Sequence, residues 1–304
     1  MKKTTIKDIA KAADVSIATV SYILNNVKNQ SISDETRVKV LKIAQQLKYV
    51  ANKSAQSLKI KKTGLIGILL FNDVHESPGS ALKYAKTIYK IEQLCGELGY
   101  HVIFMQIGAA SQSYQVIMER NLDGVFLINV DQERFYAISN QFGFGIPVFI
   151  IDSYIEDSLF HKIMPDFGQT FAQSRTLLGQ SPEFLILDSY NNDDLLNTVK
   201  RQSGLDESRI YVYGDDDGLN AFLLKFKDKP GIVLNDFLAN EVWKRHKQML
   251  ACCTCHCPEV LADDMMKLTF DLNDYTEVVN MMDSYINDAA YVNEEKFFLL
   301  TVTS

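Results

Sequence analysis

From residue 63 onward, short apolar segments alternate with segments of helix length. The apolar runs are GLIGILLF (64–71), HVIFMQI (101–107), GVFLINV (124–130), IPVFIID (146–152), EFLILD (183–188), RIYVYG (209–214), GIVLN (231–235) and KFFLLTVTS (296–304). Continuous runs rich in Val, Ile, Leu and Phe indicate strands buried on both faces, as in parallel sheets covered by helices. So many strands favour two α/β lobes over one sheet. The sequence therefore predicts a two-lobed α/β body.

The chain shows no sign of membrane insertion or export. Its longest apolar run, GLIGILLF, is too short to span a bilayer. The basic start, MKKTTIKDIAKAADV, is not followed by an apolar stretch of signal-peptide length. We therefore expect a cytoplasmic protein with no membrane partner.

Four of the five cysteines lie in CCTCHC (252–257), beside His256. Thiolate and imidazole groups are zinc ligands, which makes a metal site the alternative to consider. Structural zinc sites usually combine ligand pairs from separate stretches, and here Cys95 stands alone elsewhere in the sequence. We predict free thiols near a helix-to-strand junction, with no metal and no cofactor.

Charge is distributed unevenly along the chain. Residues 1–62 contain 13 lysines and arginines and 4 aspartates and glutamates, whereas the remainder contains 18 and 34. A small basic head on an acidic body predicts that only the head contacts a polyanion. A merely solvated basic face is the alternative.

The basic head has the periodicity of three helices. Thr5 and Asp8 have the spacing of a capping box. Ser16 is placed as the N-cap of a second helix over 17–24, and a third helix is expected to begin near Ser33–Asp34. The apolar stripes of the first and third helices are Ile6, Ile9, Ala10 and Ala13, and Val40, Leu41, Ala44 and Leu47.

Two short helices joined by a tight turn and braced by a third form a helix-turn-helix unit. In the second helix we expect Val20, Ile23 and Leu24 to face the core. Ile17, Ala18, Ser21 and Tyr22 are left for the outer face. A recognition helix presents its N-terminal residues to base edges in the major groove. A three-helix unit that binds protein would have the same periodicity, but it would not explain the basic charge.

The segments TIKDIAKAADVSIATVSYILNN (5–26) and ISDETRVKVLKIAQQLKYVANKSAQSLK (32–59) resemble the DNA-binding headpiece of the LacI/GalR (lactose-repressor) family. The resemblance rests on D-I-A, V-S-x-x-T-V-S, the following L-N-N, and the later A-x-S-L. It implies a helix-turn-helix headpiece with a hinge helix over 1–62. The effector-binding and dimerisation domain would then cover 63–304, with the two-lobed, parallel-sheet fold of periplasmic binding proteins.

The resemblance also assigns roles to individual positions of the headpiece. Ile17, Ala18 and Tyr22 match positions that read bases. Many family members have arginine where this chain has Tyr22, so we expect a different operator half-site. The positions that match phosphate contacts are Ser16, Thr19, Ser21 and Asn25, and Thr5 completes the predicted DNA-contacting set on the headpiece helices.

The segment NKSAQSLK (52–59) resembles the family's hinge helix. Leu58 matches the leucine that wedges into the minor groove and kinks the central base step. Ala55 matches the small residue that lets two hinge helices approach, and Lys59 would add attraction to the DNA backbone. The alternative for Leu58 is an ordinary buried leucine in a linker.

Phrases of the body, DGVFLI, GIPVFIID, PDFGQTFAQSRTLL and GIVLND, resemble the family's effector domain, and 268–304 resembles the closing segment that returns to the first lobe. Carboxylates and amides at strand ends suit sugar hydroxyls. The stretch LDSYNNDDLLNTVK lacks the arginine that grips the sugar in the family, so a changed or lost ligand is an alternative. The implied effector residues are Asp73, Asp152, Asn235, Asp236 and Asp263, with Asp271 as a rival for the last.

The resemblance implies a repressor that binds a near-palindromic double-stranded DNA operator as a homodimer. A small, sugar-like effector in the interlobe cleft would modulate its affinity. A body switched by a partner protein is the alternative, with candidate contacts at Tyr84, Tyr89, Phe135 and Tyr136. We do not expect an enzyme, because the body contains no G-x-S-x-G, Walker A, H-E-x-x-H or G-x-G-x-x-G motif.

Overall fold

The computed structural model describes residues 4–24, 32–47, 62–71, 77–108, 121–139, 146–157, 160–288 and 290–303. Contacts divide the chain into an N-terminal unit, Met1–Lys62, and a C-terminal unit, Thr63–Ser304. Each unit is described separately below.

The N-terminal unit contains the helices α1 (Ile6–Ala13), α2 (Ile17–Leu24) and α3 (Asp34–Gln46). The predicted capping box of α1 is confirmed, because the Thr5 side chain accepts from the Asp8 amide and the Asp8 carboxylate accepts from the Thr5 amide. Helix α1 ends at Asp14, whose left-handed backbone (φ 55°) starts the short turn into α2. The bounds of α2 are those predicted from the sequence.

The core of the N-terminal unit is small and closed by all three helices. Its buried members are Ile9, Ala10, Ala13, Val20, Ile23, Val40 and Ala44. The predicted stripe of α3 is wrong at two positions, because Leu41 and Leu47 are 47% and 38% exposed. Ile43 packs against the core instead. Two short helices cover only a narrow strip of α3, so its outer leucines remain in contact with solvent.

The C-terminal unit contains two sheets. The first has the order β11-β5-β4-β3-β1-β2, with all pairs parallel. Its strands are β1 (Leu65–Phe71), β2 (His101–Ile107), β3 (Gly124–Ile128), β4 (Val148–Ile151), β5 (His161–Pro165) and β11 (Phe297–Leu300). The second sheet has the order β12-β10-β9-β8-β6-β7, which is the same pattern of strand connections, and only its edge strand β12 is antiparallel. Its strands are β6 (Phe184–Leu187), β7 (Ile210–Val212), β8 (Gly231–Leu234), β9 (Met249–Cys252), β10 (Met266–Phe270) and β12 (Val302–Thr303).

Helices cover both sheets and complete two lobes. Lobe 1 is the first sheet with α4 (Ala85–Glu97), α5 (Gln132–Ser139) and α10 (Asp274–Asn287). Lobe 2 is the second sheet with α6 (Phe167–Leu178), α7 (Asp193–Ser203), α8 (Asp216–Lys225) and α9 (Asp236–Trp243). The predicted two-lobed α/β architecture is confirmed. In the described ranges, no helix combines the length and the apolarity that a membrane crossing requires.

The chain passes between the lobes at three described points, where β5 leads to α6, β10 to α10, and β11 to β12. All three follow the carboxyl ends of strands, so the carboxyl edges of the two sheets face each other across the cleft. The segment 268–304 returns to lobe 1, as predicted, and its last strand then pairs with lobe 2. Sequence analysis missed β5, β9 and β10.

Candidate functional site

The outer face of α2 is exposed as predicted. Ile17 and Tyr22 are 50% and 38% exposed, and Ala18 beside them is exposed as well. Val20 and Ile23, on the opposite side, are fully buried in the three-helix core. A rigid helix therefore presents a mixed apolar and aromatic surface over its first turns, of the kind that contacts base edges and thymine methyl groups.

Hydroxyl groups surround the N-terminus of α2. The Ser16 hydroxyl accepts the Thr19 amide at 3.0 Å and pairs with the Thr19 hydroxyl at 2.8 Å. Ser16 thus caps the helix, as expected for a serine at this position. Ser21 is partly buried on the same helix. The exposed Thr5 caps α1. Helix N-termini with flanking hydroxyls are suited to phosphate contacts.

Several predicted site residues lie outside the described residues. They are Asn25, Ala55, Leu58, Lys59 and Asp73. Their predicted roles therefore stay predictions from the sequence.

A hydrogen-bond network joins the lobes where β1 and β3 of lobe 1 meet the loop after β6. The Asn191 side chain of lobe 2 donates to the Phe71 carbonyl at 3.0 Å and to the Asn129 carbonyl at 3.1 Å. The Asn129 amide group donates to the same Phe71 carbonyl at 3.1 Å. Asn192 donates to the Val130 carbonyl at 3.3 Å. β1 and β3 are neighbouring strands from which the chain continues toward opposite sides of the sheet. Parallel α/β sheets bind ligands in the crevice at the carboxyl ends of two such strands.

Asp152 follows β4 directly and is 8% exposed at the cleft edge. Burial raises the pKa of its carboxyl group to about 6, while Lys83 and the Tyr84 hydroxyl act in the opposite direction. Its backbone is left-handed (φ 50°). Backbone strain of this kind is concentrated at the ligand sites of proteins.

Asn235 and Asp236 follow β8 and are buried among protein partners. Asn235 caps α9 by accepting the amides of Phe237 and Leu238, and it donates to Asp188 at 3.2 Å. The Asp236 carboxylate accepts the amides of Cys255 and Cys257 at 2.8 and 2.7 Å. Both side chains therefore have structural partners at the position where an effector was predicted.

The fifth predicted effector residue lies elsewhere in lobe 2. Asp263 is exposed and precedes β10 by three residues, which places it at the edge where strands begin. Asp271, its rival in the sequence, directly follows β10 at the cleft edge, and its amide donates to the Thr301 carbonyl at 3.1 Å. The structure thus brings Asp271, rather than Asp263, to the side of the sheet that carries Asp152 and Asn235.

Lys83 of lobe 1 lies buried in the cleft against lobe 2. Its Nζ is 3.5 Å from the Asp188 carboxylate and donates to the Ser189 carbonyl at 3.2 Å. It also lies 4.2 Å from the centroid of the Tyr190 ring and 5.5 Å from that of Tyr84. Lys83, Asp188, Tyr84 and Tyr190 are each less than a tenth exposed. The cleft therefore contains an ammonium group enclosed by a carboxylate and aromatic rings.

The cysteine cluster is a buried structural loop. Cys252 ends β9, and all five cysteines are free and buried. Burial raises the pKa of Cys95 and of Cys252 to about 12. It also raises the pKa of Cys253, Cys255 and Cys257, so these thiols remain protonated. Within the described ranges, no group of three or more His, Cys, Asp and Glu residues is arranged to hold a metal ion.

The four aromatic residues considered for a partner protein have different environments. Tyr84 and Phe135 are buried in lobe 1, whereas Tyr89 and Tyr136 are 69% and 40% exposed. Sequence reasoning missed Lys83, Asn129 and Asp188. Asn129 had a signal, since a polar residue directly follows a buried strand. Lys83 had none, because a lysine in a segment of helix length is usually solvated.

Residues 5–52 match the family model described as "Bacterial regulatory proteins, lacI family". Among curated proteins, the ribose operon repressor of Haemophilus influenzae is 31% identical over 164 residues, covering 53% of this chain and 46% of that protein. The regulator DegA of Bacillus subtilis is 34% identical over 127 residues, which cover 40% of this chain and 35% of DegA. The chain thus spans about half or less of the length of these relatives. They are regulators rather than enzymes, in agreement with the prediction that this chain is not an enzyme.

Solved structures share the fold along the whole chain. A lac repressor dimer bound to operator and an anti-inducer superposes with a TM-score of 0.75 at 15% identity, covering 99% of this chain and 97% of the other. The regulator CelR, in a cellobiose complex, superposes with a TM-score of 0.58 at 14% identity and covers 99% of both chains. The two-lobed arrangement is therefore the periplasmic-binding-protein-like fold that the resemblance implied. Residues 5–52, which include the three-helix unit, therefore match the lacI family of bacterial regulatory proteins, and the body that follows shares the fold of the lac repressor.

Proposed function

We propose that this protein is a cytoplasmic transcriptional repressor that binds a near-palindromic operator in double-stranded DNA as a homodimer. The main observation behind this proposal is that α2 has one exposed face and one buried face. Ile17, Ala18 and Tyr22 are exposed on a helix whose other side is fixed by Val20 and Ile23 in the core. The basic balance of residues 1–62 supports this assignment, because a protein-binding unit would not need it.

In the proposed complex, α2 of each subunit enters a major groove. Ile17, Ala18 and Tyr22 would contact base edges, and Ser16, Thr19 and Ser21 would contact phosphates. Paired hinge segments would place Leu58 of both subunits at the centre of the site. Dimer symmetry then requires a two-fold symmetric operator. Repression is the simpler outcome, since occupation of a promoter requires no further contact.

The C-terminal unit would supply the dimer interface and an effector site in the interlobe cleft. Relatives named for ribose and cellobiose support a small sugar-like molecule as the class of effector. Asp152 and Asp271 have the position and chemistry for such a ligand, at the carboxyl edges of the two sheets. Closure of the lobes would shift the population of DNA-binding forms through differential affinity.

A second candidate is a body switched by a partner protein, or one that has lost its small ligand. The occupied cleft favours this candidate, because Asn235, Asp236 and Asp188 already have protein partners. Thermal shift with a panel of monosaccharides and disaccharides separates the two candidates. A ligand that binds the folded state raises its unfolding midpoint by mass action.

The operator proposal is tested by selecting bound fragments from genomic DNA with the full-length protein. Selected fragments are then titrated at several salt concentrations. We expect enrichment of one two-fold symmetric site, whose affinity exceeds that for random DNA by 10³-fold or more. Binding that depends steeply on salt but enriches no sequence would contradict the proposal.

A further inference from the structure

We propose that Lys83 is an internal ligand of the interlobe cleft: its ammonium group, bound by lobe 2, holds the lobes closed when no small molecule is present. The inference concerns the regulation of the cleft in the function proposed above. Only its consequence for DNA binding rests on that function, whereas the contact between the lobes does not.

The ammonium group and its partners come from different lobes. Lys83 precedes α4 in lobe 1, whereas Asp188, Ser189 and Tyr190 follow β6 in lobe 2. The paired side chains of Lys83 and Asp188 are only 8% and 5% exposed. A carboxylate, a carbonyl oxygen and an aromatic face are the groups with which proteins bind an ammonium ion. The contact can exist only while the lobes are together.

Lobe 2 holds the acceptor side of this contact in place. The Asp188 carboxylate accepts the Asn235 side-chain amide at 3.2 Å and the Ser189 backbone amide at 2.8 Å. Asn235 is fixed in turn, because it caps α9. The binding group therefore belongs to the rigid framework of lobe 2, which is the arrangement expected of a preformed ligand site.

A neighbouring contact between the lobes adds to closure. Gly79, in the segment that leads to Lys83, has a left-handed backbone (φ 70°). A Cβ atom at this position would lie 2.1 Å from the Phe237 ring of α9. The segment before α4 thus packs closely against lobe 2 and places Lys83 in the cleft.

The charges around Lys83 also restrict what could replace it. Lys83 pairs with the Asp188 carboxylate, and its charge also lowers the pKa of the buried Asp152 against the effect of burial. A neutral sugar that displaced Lys83 would leave two buried carboxylates without a cation, which is strongly unfavourable. A neutral sugar could therefore bind in the cleft only beside Lys83, whereas a molecule that displaces Lys83 must carry a positive charge of its own, such as a primary ammonium group.

The test compares Lys83→Met with Lys86→Met in the full-length protein without DNA. Methionine keeps the length of the side chain but removes the charge. Lys86 is the matched control, because its ion pair with Glu259 also joins the lobes at 2.5 Å but is 38% and 59% exposed. We expect Lys83→Met to lower the midpoint of thermal unfolding by about 10 °C, and Lys86→Met to change it by no more than about 2 °C.

A double variant keeps the test decisive if Lys83→Met unfolds the protein. Lys83→Met with Asp188→Asn removes both charges of the pair and should be more stable than Lys83→Met alone, since it leaves one buried carboxylate, Asp152, without a cation instead of two. Lobe separation is then measured between spin labels on Leu98→Cys and Leu224→Cys, which replace exposed residues of lobe 1 and lobe 2. The native thiols, all buried, would remain unlabelled.

We expect the double variant to show longer and broader label distances than the protein that retains both charges. Equal, narrow distributions in the two proteins would overturn the proposal. So would equal unfolding midpoints for Lys83→Met and Lys86→Met. Because no DNA is present, failure here leaves the operator proposal intact, and failure of the DNA selection leaves this result intact.

Discussion

The Asp236 carboxylate accepts the backbone amide of Cys257 at 2.7 Å, and with its other oxygen it accepts the amide of Cys255 at 2.8 Å. Asp236 is fully buried at the start of α9. One carboxylate therefore fixes the cysteine-rich loop after β9 to the helix after β8. This acid therefore holds the loop in its observed shape through two backbone hydrogen bonds.

Asp236→Asn should destabilise the protein by about 1–3 kcal/mol, because the asparagine amide can accept only one of the two backbone amides and leaves the other unpaired. Urea unfolding measures this difference. Asp264→Asn, an exposed acid in the same connection, is the control and should leave stability within about 0.5 kcal/mol. Equal stability of the two variants would contradict the assigned role of Asp236.

The cysteines should be unreactive in the native protein. All five are buried, and burial raises the pKa of Cys252 to about 12. At pH 8 a thiol reagent should therefore modify them only on the timescale of unfolding, and should find five thiols in denaturant. Rapid modification of one thiol of the native protein would show that the loop opens.

Stability should depend on pH through Asp152. Burial raises the pKa of its carboxyl group from 3.8 to about 6, so the folded protein binds this proton more tightly than the unfolded chain. The contribution of Asp152 to the free energy of unfolding therefore decreases as pH rises from about 4 to 6, and it is constant above pH 6. Asp152→Asn should stabilise the protein by about 2–3 kcal/mol at pH 7 and by little at pH 4. Urea unfolding at both values checks the sign, and a larger gain at pH 4 would contradict it.

Tyr22→Arg should change the preferred half-site. Arginine donates two hydrogen bonds to guanine, which tyrosine cannot do, so discrimination at one base pair should shift by about 1–3 kcal/mol. Parallel DNA selection with both proteins measures the shift. An unchanged preference would show that Tyr22 does not read a base.

Leu58→Ala should weaken binding to the specific operator much more than binding to random DNA. Only the specific complex would contain a kinked central step for the leucine to fill. Titration of both DNAs at one salt concentration gives the ratio. Equal losses on both would exclude the wedge assigned to Leu58 from the sequence.

The sequence predicts helices better than it predicts their packing in the N-terminal unit. The period of 3.6 residues located α2 and separated Val20 and Ile23 from Ile17 and Tyr22. The same period predicted too wide an apolar stripe on α3, because the exposure of Leu41 depends on how much of α3 the other two helices cover. That coverage is a property of the tertiary packing and not of the local sequence.

In the body, long apolar strands were visible and short or mixed ones were not. Strand β5 reads HKIMP, and its buried His161 and Lys162 remove the apolar signal. The cleft was predicted only in part for a related reason. Asp152 could be found because it follows an apolar run, but the pairing of Lys83 with Asp188 joins positions far apart in the chain. No local pattern encodes such a contact.

The three segments that connect the lobes all lie at one edge of the first sheet, and Thr63 enters at the opposite edge. Strand β1, with seven residues, spans the distance between these edges. If lobe 1 rotates as a rigid body about the connecting segments, its far end lies about 23 Å from the rotation axis. A rotation of roughly 10° about them moves its far end by about 4 Å, where the N-terminal unit is covalently attached. If release of Lys83 lets lobe 1 rotate as proposed, the displacement is therefore larger at residue 63 than at the cleft.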